Sequence, residues 1–346
     1  MLTVTNFFQS DHHGDSMLAQ PRLLHVFRRF FGLIVAFSII GVVVLVFDHS
    51  VTYKQNFRRR KEVNDANYRA RKMFQNVKFK DSRLQVARYI AVPKAAMCSN
   101  TTFIVVVHMR AEDHARRRRW RATYGNHHLR ENFKYNLIFS IGIPSKTRDH
   151  DLITEESEIY GDILQADYID AYRNITYKQL AELRYFASSC ENITAVVKLD
   201  DDVAWSVNKT AEFISKKVHP NELYCARRDS HTPMTHEGMK WSITKEEWGR
   251  GQFPVHCLGM IYIVSLSAVR RMLATVHLQK FFWIDDVFIT GVLTEASNVS
   301  VRNIVDIIGE GVRYPEEVYF REVFFAISKE DSPYWFFVAN HQALVP

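Results

Sequence analysis

The sequence predicts an α/β protein whose sheet is covered on both faces, and three observations carry that prediction. First, residues 103–107 (FIVVV), 135–141 (YNLIFSI), 195–199 (AVVKL) and 260–264 (MIYIV) are short, mostly apolar runs rich in β-branched residues. Strands buried on both faces read this way. Second, helical stretches lie among them at 116–123, 152–160, 176–188, 209–217 and 267–275. Strands alternating with helices build a layered α/β sheet. Third, the 346 residues are 47% hydrophobic with only 13 Gly and 9 Pro. That excludes disordered, collagen-like and disulfide-dense chains, and leaves room for one large domain or two ordinary ones. There is no internal repeat and no low-complexity tract.

From the N-terminus, residues 1–29 form a polar tail, read as cytoplasmic. Residues 30–47 (FFGLIVAFSIIGVVVLVF) carry no charge. As a helix they would span about 27 Å at ~1.5 Å per residue, enough for a thin bilayer. The run is longer than a usual signal-peptide core and has no small-x-small cleavage site before Asp48, so a retained transmembrane anchor is expected. Residues 48–97 are basic, have no strong strand pattern, and read as a stem. Residues 98–346 form the globular, lumenal part.

The flanking charges conflict with that orientation. Arg22, Arg28 and Arg29 precede the span, while Lys54, Arg58, Arg59, Arg60 and Lys61 follow it. A plain positive-inside count would place the C-terminal side in the cytosol. Against it, Asn-x-Ser/Thr sequons occur only after the span, at Asn100, Asn174, Asn192, Asn208 and Asn298. All four cysteines, Cys98, Cys190, Cys225 and Cys257, also follow it, an even number that allows two disulfides in any of three connectivities. A short cytosolic tail and a lumenal domain are therefore expected.

The formal charge of +7 invites a nucleic-acid reading. The excess is local, however: residues 1–99 carry a net +10 and residues 100–346 a net −3. A nucleic-acid enzyme carries its basic patch on the folded domain, so no nucleic-acid partner is expected.

The sharpest chemical feature is Lys198-Leu199-Asp200-Asp201-Asp202, three carboxylates at the end of a predicted buried strand. Adjacent like charges repel unless a cation or hydrogen-bond donors neutralise them. Open α/β sheets bind ligands at the carboxyl ends of their strands. Hard oxygens suit Mg²⁺ or Mn²⁺ bridging to phosphates. Strand alternation sends Asp200 and Asp202 to one side and Asp201 to the other. On chemistry alone a phosphohydrolase, a nucleotidyltransferase and a glycosyltransferase all remain open. A second pair, Asp285-Asp286, lies beside Trp283 and Phe288 and reads either as a helix cap or as a carboxylate base. In the basic run 116–121, Arg117 and Arg121 are four apart on a predicted helix. They would share a face suited to a diphosphate.

These blocks resemble the β-1,3-galactosyltransferase-like family of hexosyltransferases (glycosyltransferase family 31 type). Arg117, followed by Trp120-Arg121-Ala122-Thr123-Tyr124-Gly125, resembles R-x-x-I-R-x-T-W-G. Glu156 with Tyr160-Gly161-Asp162-Ile163-Leu164 resembles E-x-x-x-Y-G-D-I-L. Residues 167–178 (DYIDAYRNITYK) resemble D-F-x-D-S-Y-x-N-L-T-x-K, and 198–202 resemble K-x-D-D-D. Residues 253–259 (FPVHCLG) resemble Y-P-x-Y-C-x-G, and Asp285-Asp286-Val287 with Thr290-Gly291 resembles E-D-V-x-x-T-G. The resemblance implies a GT-A-type, Rossmann-like fold that takes a UDP-sugar donor and Mn²⁺. It implies inverting transfer of galactose or N-acetylhexosamine, with a β-1,3 linkage. The acceptor would be a glycan on a glycoprotein or glycolipid, and the enzyme a single-pass type II protein of the Golgi membrane. By motif position Asp202 would bind the metal, Asp200 and Asp201 would lie near the donor, and Asp286 would be the catalytic base with Asp285 as helper. Arg117, Arg121, Asp170 and Lys178 would line the donor site. Asp285 stands where the family has Glu, and Tyr124 where it has Trp. Some relatives supply a metal-binding His after the base; here none occurs between His277 and His341, so His341 or water would complete the shell. The alternative is a catalytically inactive, membrane-anchored carbohydrate-binding protein on the same fold.

Overall fold

A computed structural model describes residues 20–234, 240–310 and 323–327. Its strands are β1 (Tyr89–Ala91), β2 (Phe103–His108), β3 (Tyr135–Ile143), β4 (Ile163–Ile169), β5 (Ala195–Asp200), β6 (Val203–Trp205), β7 (Glu222–Arg228), β8 (His256–Ser265), β9 (Ser300–Asn303), β10 (Ile308–Glu310) and β11 (Phe325–Ile327). Its helices are α1 (Gln20–Lys72), α2 (His114–Ala122), α3 (His127–Phe133), α4 (Thr147–Tyr160), α5 (Ile175–Ser189), α6 (Val207–Lys217), α7 (Lys245–Trp248), α8 (Leu266–Thr275) and α9 (Leu293–Ser297). A π-helical segment, Asp286–Val292, leads directly into α9.

The chain divides into two units, residues 1–58 and 59–346. In the first, α1 carries the apolar run. Phe31, Leu33, Val35, Phe37, Ile39, Ile40 and residues 42–46 expose their side chains on it. The side chains of Phe30, Gly32, Ile34, Ala36 and Phe47 lie outside the described ones. Among the described residues no helix is long and apolar enough to cross a membrane.

The second unit begins earlier than the boundary at 97/98 read from the sequence. The last turns of α1 bury Ala66 and Ala70, followed by Phe74, Leu84 and Tyr89, in the same core cluster as α5. β1 then pairs antiparallel with β4. Much of the expected stem is therefore part of the folded domain. Its burial rests on small residues set among arginines, which leave no strong apolar period.

Among the described residues the main sheet has eight strands in the order β1-β4-β3-β2-β5-β8-β7-β9, and β10-β11-β6 form a small second sheet. β4, β3, β2 and β5 are parallel, while β8 is antiparallel to both β5 and β7. Along β2, Ile104 and Val106 face one core cluster, and Phe103, Val105 and Val107 face the other. This two-sided burial explains why the strand is apolar at successive positions. The chain builds outward from β2 to β3 and β4, then returns to place β5 on the other side of β2. A crevice opens at such a reversal, at the carboxyl ends of the strands. Asp200-Asp201-Asp202 stand there.

Two disulfides form. Cys98–Cys190 ties the segment before β2 to the end of α5, and Cys225–Cys257 joins β7 to β8. Of the sequon asparagines, Asn100, Asn192, Asn208 and Asn298 are exposed, and Asn174 is half-buried.

Candidate active site

A cleft of about 450 Å³ lies at the carboxyl end of β5. Asp200, Asp202, Asp285 and Asp286 line it, together with Lys198, Arg228, His256 and Gly259. The turn between β5 and β6 aims Asp200 and Asp202 into the cleft. Asp201 turns toward α2, where Arg116 meets it at 3.1 Å, as strand alternation predicts. Lys198, two residues before Asp200 and on the same face, donates to the Asp200 carboxylate and to the Gly259 carbonyl at 2.6 Å. One ammonium thereby links β5 to β8.

The second carboxylate pair comes from the π-helical segment. Asp285 has helical dihedrals and makes no capping hydrogen bond, so the cap reading does not hold. Thr290 donates to the Asp286 carbonyl at 2.6 Å and accepts from the Cys257 amide at 2.8 Å. Gly291 packs where a Cβ would lie 2.9 Å from Pro254 and 3.1 Å from His256. The Thr290-Gly291 part of the motif thus clamps this segment onto β8, and Asp286 comes to rest against Gly259, where a Cβ would lie 3.2 Å from its own.

The electrostatics of the cleft are unbalanced. Burial, then repulsion from Asp286, pushes Asp285 up to about 7. Burial also raises Asp286, while His256 and the Val287 amide, which donates to its carboxylate at 2.8 Å, oppose the rise. Gln179 donates to Asp285 and accepts from Tyr262 at 2.9 Å. Asp202 is exposed to the cleft, yet desolvation by its flanks and the charge of Asp200 lift its carboxyl above the usual range. Burial raises Asp201 to about 6. Beneath the floor, His108 at the end of β2 meets Glu182 of α5 with 2.9 Å between Nε2 and Oε2. Burial depresses the imidazole and lifts Glu182 to about 8.

Arg117 and Arg121 do not join this cleft. Arg117 is fully buried; its Nε and Nη2 donate to Glu156 at 2.8 and 2.7 Å, and its other donors meet the Arg110 and Ala111 carbonyls. Arg121 is engaged by Asp162 at 2.7 and 2.8 Å and by Glu156 at 2.5 Å. The expected diphosphate clamp is instead an internal ion-pair network. Its acidic partners come from the next motif block, 39 and 41 residues further along the chain. The aromatic residues of the first block are structural as well. Tyr124 stacks on Trp205 at 5.2 Å and lies 4.9 Å from Trp120. Asp170 and Lys178 pair with each other at 3.0 Å. Asp170 accepts from the amides of Ala111 and Gly142, and Lys178 donates to the Met109 carbonyl. They shape the carboxyl ends of β2 and β3 and do not line the cleft.

The galactosyltransferase family profile matches residues 115–305, a stretch that holds the cleft and both carboxylate pairs. The chain belongs to that family. Among galactosyltransferase relatives, β-1,3-galactosyltransferase bre-2 of Caenorhabditis elegans is 25% identical over 214 residues, covering 59% of each chain. β-1,3-Galactosyltransferase 5 of Homo sapiens is 23% identical over 185 residues, covering 53% of this chain and 59% of its own. β-1,3-Galactosyltransferase 4 of Mus musculus is 26% identical over 245 residues, covering 62% and 65%. The chain thus spans about three-fifths of the length of the first two relatives.

The family's sequence pattern located Asp200, Asp202, Asp285 and Asp286. It gave no role to Lys198, although its place two residues before Asp200 was a usable signal. His256, Gln179 and Tyr262 carried no such signal, because they enter the site only through packing between β8, α5 and the π-helical segment.

Proposed function

We propose that this chain is an inverting hexosyltransferase that moves galactose or N-acetylhexosamine from a UDP-sugar to a glycan hydroxyl, forming a β-1,3 linkage. The observation that carries the reading is the meeting, in one cleft at a strand-order reversal, of the Asp200/Asp202 carboxylates with the Asp285–Asp286 pair. A GT-A-type arrangement is part of the proposal.

Asp286 is the proposed base. It takes the proton of the acceptor hydroxyl as that oxygen attacks the anomeric carbon, and the carbon–oxygen bond to UDP breaks on the opposite face. His256 and the Val287 amide favour its anion, while burial and the neighbouring charge of Asp286 favour the protonated form of Asp285. A base contributes roughly 10²–10⁴-fold to rate; positioning supplies much of the remainder.

Among the described residues no group of three or more His, Cys, Asp or Glu side chains is arranged to hold a metal ion, and His341 lies outside them. The donor set nevertheless fits a hard cation of the Mg²⁺ or Mn²⁺ type, which is commonly held by one or two carboxylates with substrate phosphates and water completing the shell. Asp202, with Asp200 beside it, would hold Mn²⁺. When bound, such an ion neutralises charge on a departing diphosphate. Asp201, turned toward Arg116, supports the turn.

The proposed setting is the Golgi membrane, with residues 30–47 as a type II anchor and glycoprotein or glycolipid glycans as acceptors. The exposed apolar side chains along α1, two disulfides of the kind oxidising compartments favour, and exposed sequon asparagines support it. The deciding experiment screens UDP-sugars for Mn²⁺-dependent consumption by the purified protein, then arrays of acceptors. Absence of any UDP-sugar consumption with every acceptor overturns the transferase reading. Endoglycosidase treatment of material from a eukaryotic host tests the topology: a fall in apparent mass is expected, and unmodified sequons oppose it.

A further inference from the structure

Resting on the transferase reading, we propose that the acceptor glycan carries an anionic substituent, a sulfate or a carboxylate, and that Arg228 at the end of β7 binds it.

The placement follows from the sheet. β5 and β7 flank β8, and both run antiparallel to it, so their carboxyl ends open on the same edge. Along that edge stand Asp200 and Asp202 after β5, then His256 and Gly259 on β8 with Asp286 packed against them, then Arg228, which pairs in register with His256. Neighbouring strands lie about 4.8 Å apart, and Arg228 pairs some four residues further along β8 than the end of β5 does, so it stands roughly 16 Å from Asp200, with the proposed base between them. A diphosphate held near Asp202 leaves the β7 side for the acceptor.

That side of the cleft is cationic. Arg227 is held by Asp229 at 2.7 Å. Arg228, its neighbour on a strand, lines the cleft beside His231, and no carboxylate among the described residues forms an ion pair with it. His231 directs Nδ1 to the Asp229 carbonyl and sets its ring 5.2 Å from that of His256. A second cation, Lys240, lies over the rings of Tyr172 and Trp241 at 4.4 and 5.3 Å, on the same cleft. The hydroxyls of an uncharged sugar could accept hydrogen bonds from the guanidinium but would leave its charge without a counter-ion. A sulfate or carboxylate matches the planar fork of an arginine and takes two charge-assisted hydrogen bonds from it.

The test is a ligand-observed NMR titration of the full-length protein in detergent with Mn²⁺ and UDP present. Three probes are compared: N-acetyllactosamine, its sulfated form, and a disaccharide ending in glucuronic acid. At least one anionic probe is expected to bind about tenfold more tightly than the neutral one. That advantage should shrink at high salt, disappear in Arg228→Gln and survive in part in Arg228→Lys. UDP binding in the same samples reports that the site is folded. The sulfated and glucuronate arms tell which anion is recognised. Equal binding of all three probes overturns the proposal, as does an anionic advantage that persists in Arg228→Gln. Binding preference is read without turnover, so its failure is distinct from a failure to consume any UDP-sugar.

Discussion

The molecule contains two clusters of charge built from sequence blocks of similar appearance, and they behave oppositely. In the first, Arg117 and Arg121 meet Glu156 and Asp162, and each guanidinium finds a carboxylate at 2.7 Å. Those contacts hold Glu156 down at about 2 against the effect of burial. In the second, Asp200, Asp202, Asp285 and Asp286 share a cleft in which Lys198, the lysine that contacts Asp200, also holds the Gly259 carbonyl. There the carboxyls of Asp202, Asp285 and Asp286 rise. A cluster with matched charges holds the fold together. A cluster with surplus like charge lowers stability until something binds, which makes it the better candidate for chemistry.

The largest effect expected from this contrast is on rate. Asp286→Asn should lower single-turnover transfer by roughly 10²–10⁴-fold while calorimetric UDP binding changes little. Asp285→Asn should lower transfer less. If Asp285→Asn is the inactive variant and Asp286→Asn is near wild type, the base is Asp285.

Next comes stability. Arg117→Met should destabilise the protein by about 3 kcal/mol, since removing one member of a buried pair leaves carboxylate charge behind; Arg121 and His114 still contact Glu156 and limit the loss. Urea denaturation measures it. A variant as stable as wild type that has lost UDP binding would restore Arg117 to the donor site and erase the contrast.

The third effect is on cation dependence. Asp202→Asn keeps the shape of the side chain and removes the charge that holds a hard cation. Titration of Mn²⁺ in the presence of UDP should show binding weakened by about tenfold or more. Unchanged Mn²⁺ dependence would remove Asp202 from the metal site.

The sequence revealed this contrast only in part. β2, β3, β5 and β8 were legible because both of their faces are buried. β4 was not, because Gln165 and Asp167 interrupt its apolar pattern, nor β7, which begins and ends on charges. The four-residue spacing of Arg117 and Arg121 was read correctly as one helix face. What that face meets was not legible, because Glu156 and Asp162 reach it only after α4 has folded back onto the sheet. Spacing along a helix identifies neighbours on that helix, and the far partner decides whether an arginine remains available to a ligand.

A last effect separates the two clusters by pH. Glu156 drops from 4.5 to about 2 on folding, so between those values the unfolded chain binds more protons and stability falls as the solution is acidified. Asp285 rises from 3.8 to about 7, so between those values the folded chain binds more protons and stability falls as the pH is raised. Without divalent cation, stability should therefore peak near pH 4, where the two windows overlap, and decline on either side. Asp285→Asn removes the repulsion with Asp286 and should flatten the decline toward pH 8, a gain of about 2 kcal/mol there after allowing for water in the cleft. At pH 5 the gain should be smaller, because there Asp285 is still protonated in the folded chain and only the lower part of its window has been crossed. Urea midpoints at pH 5 and pH 8 for the two proteins decide it: an equal shift at both would mean that Asp285 acts through packing, and that the cleft carries no surplus charge for a substrate or cation to relieve.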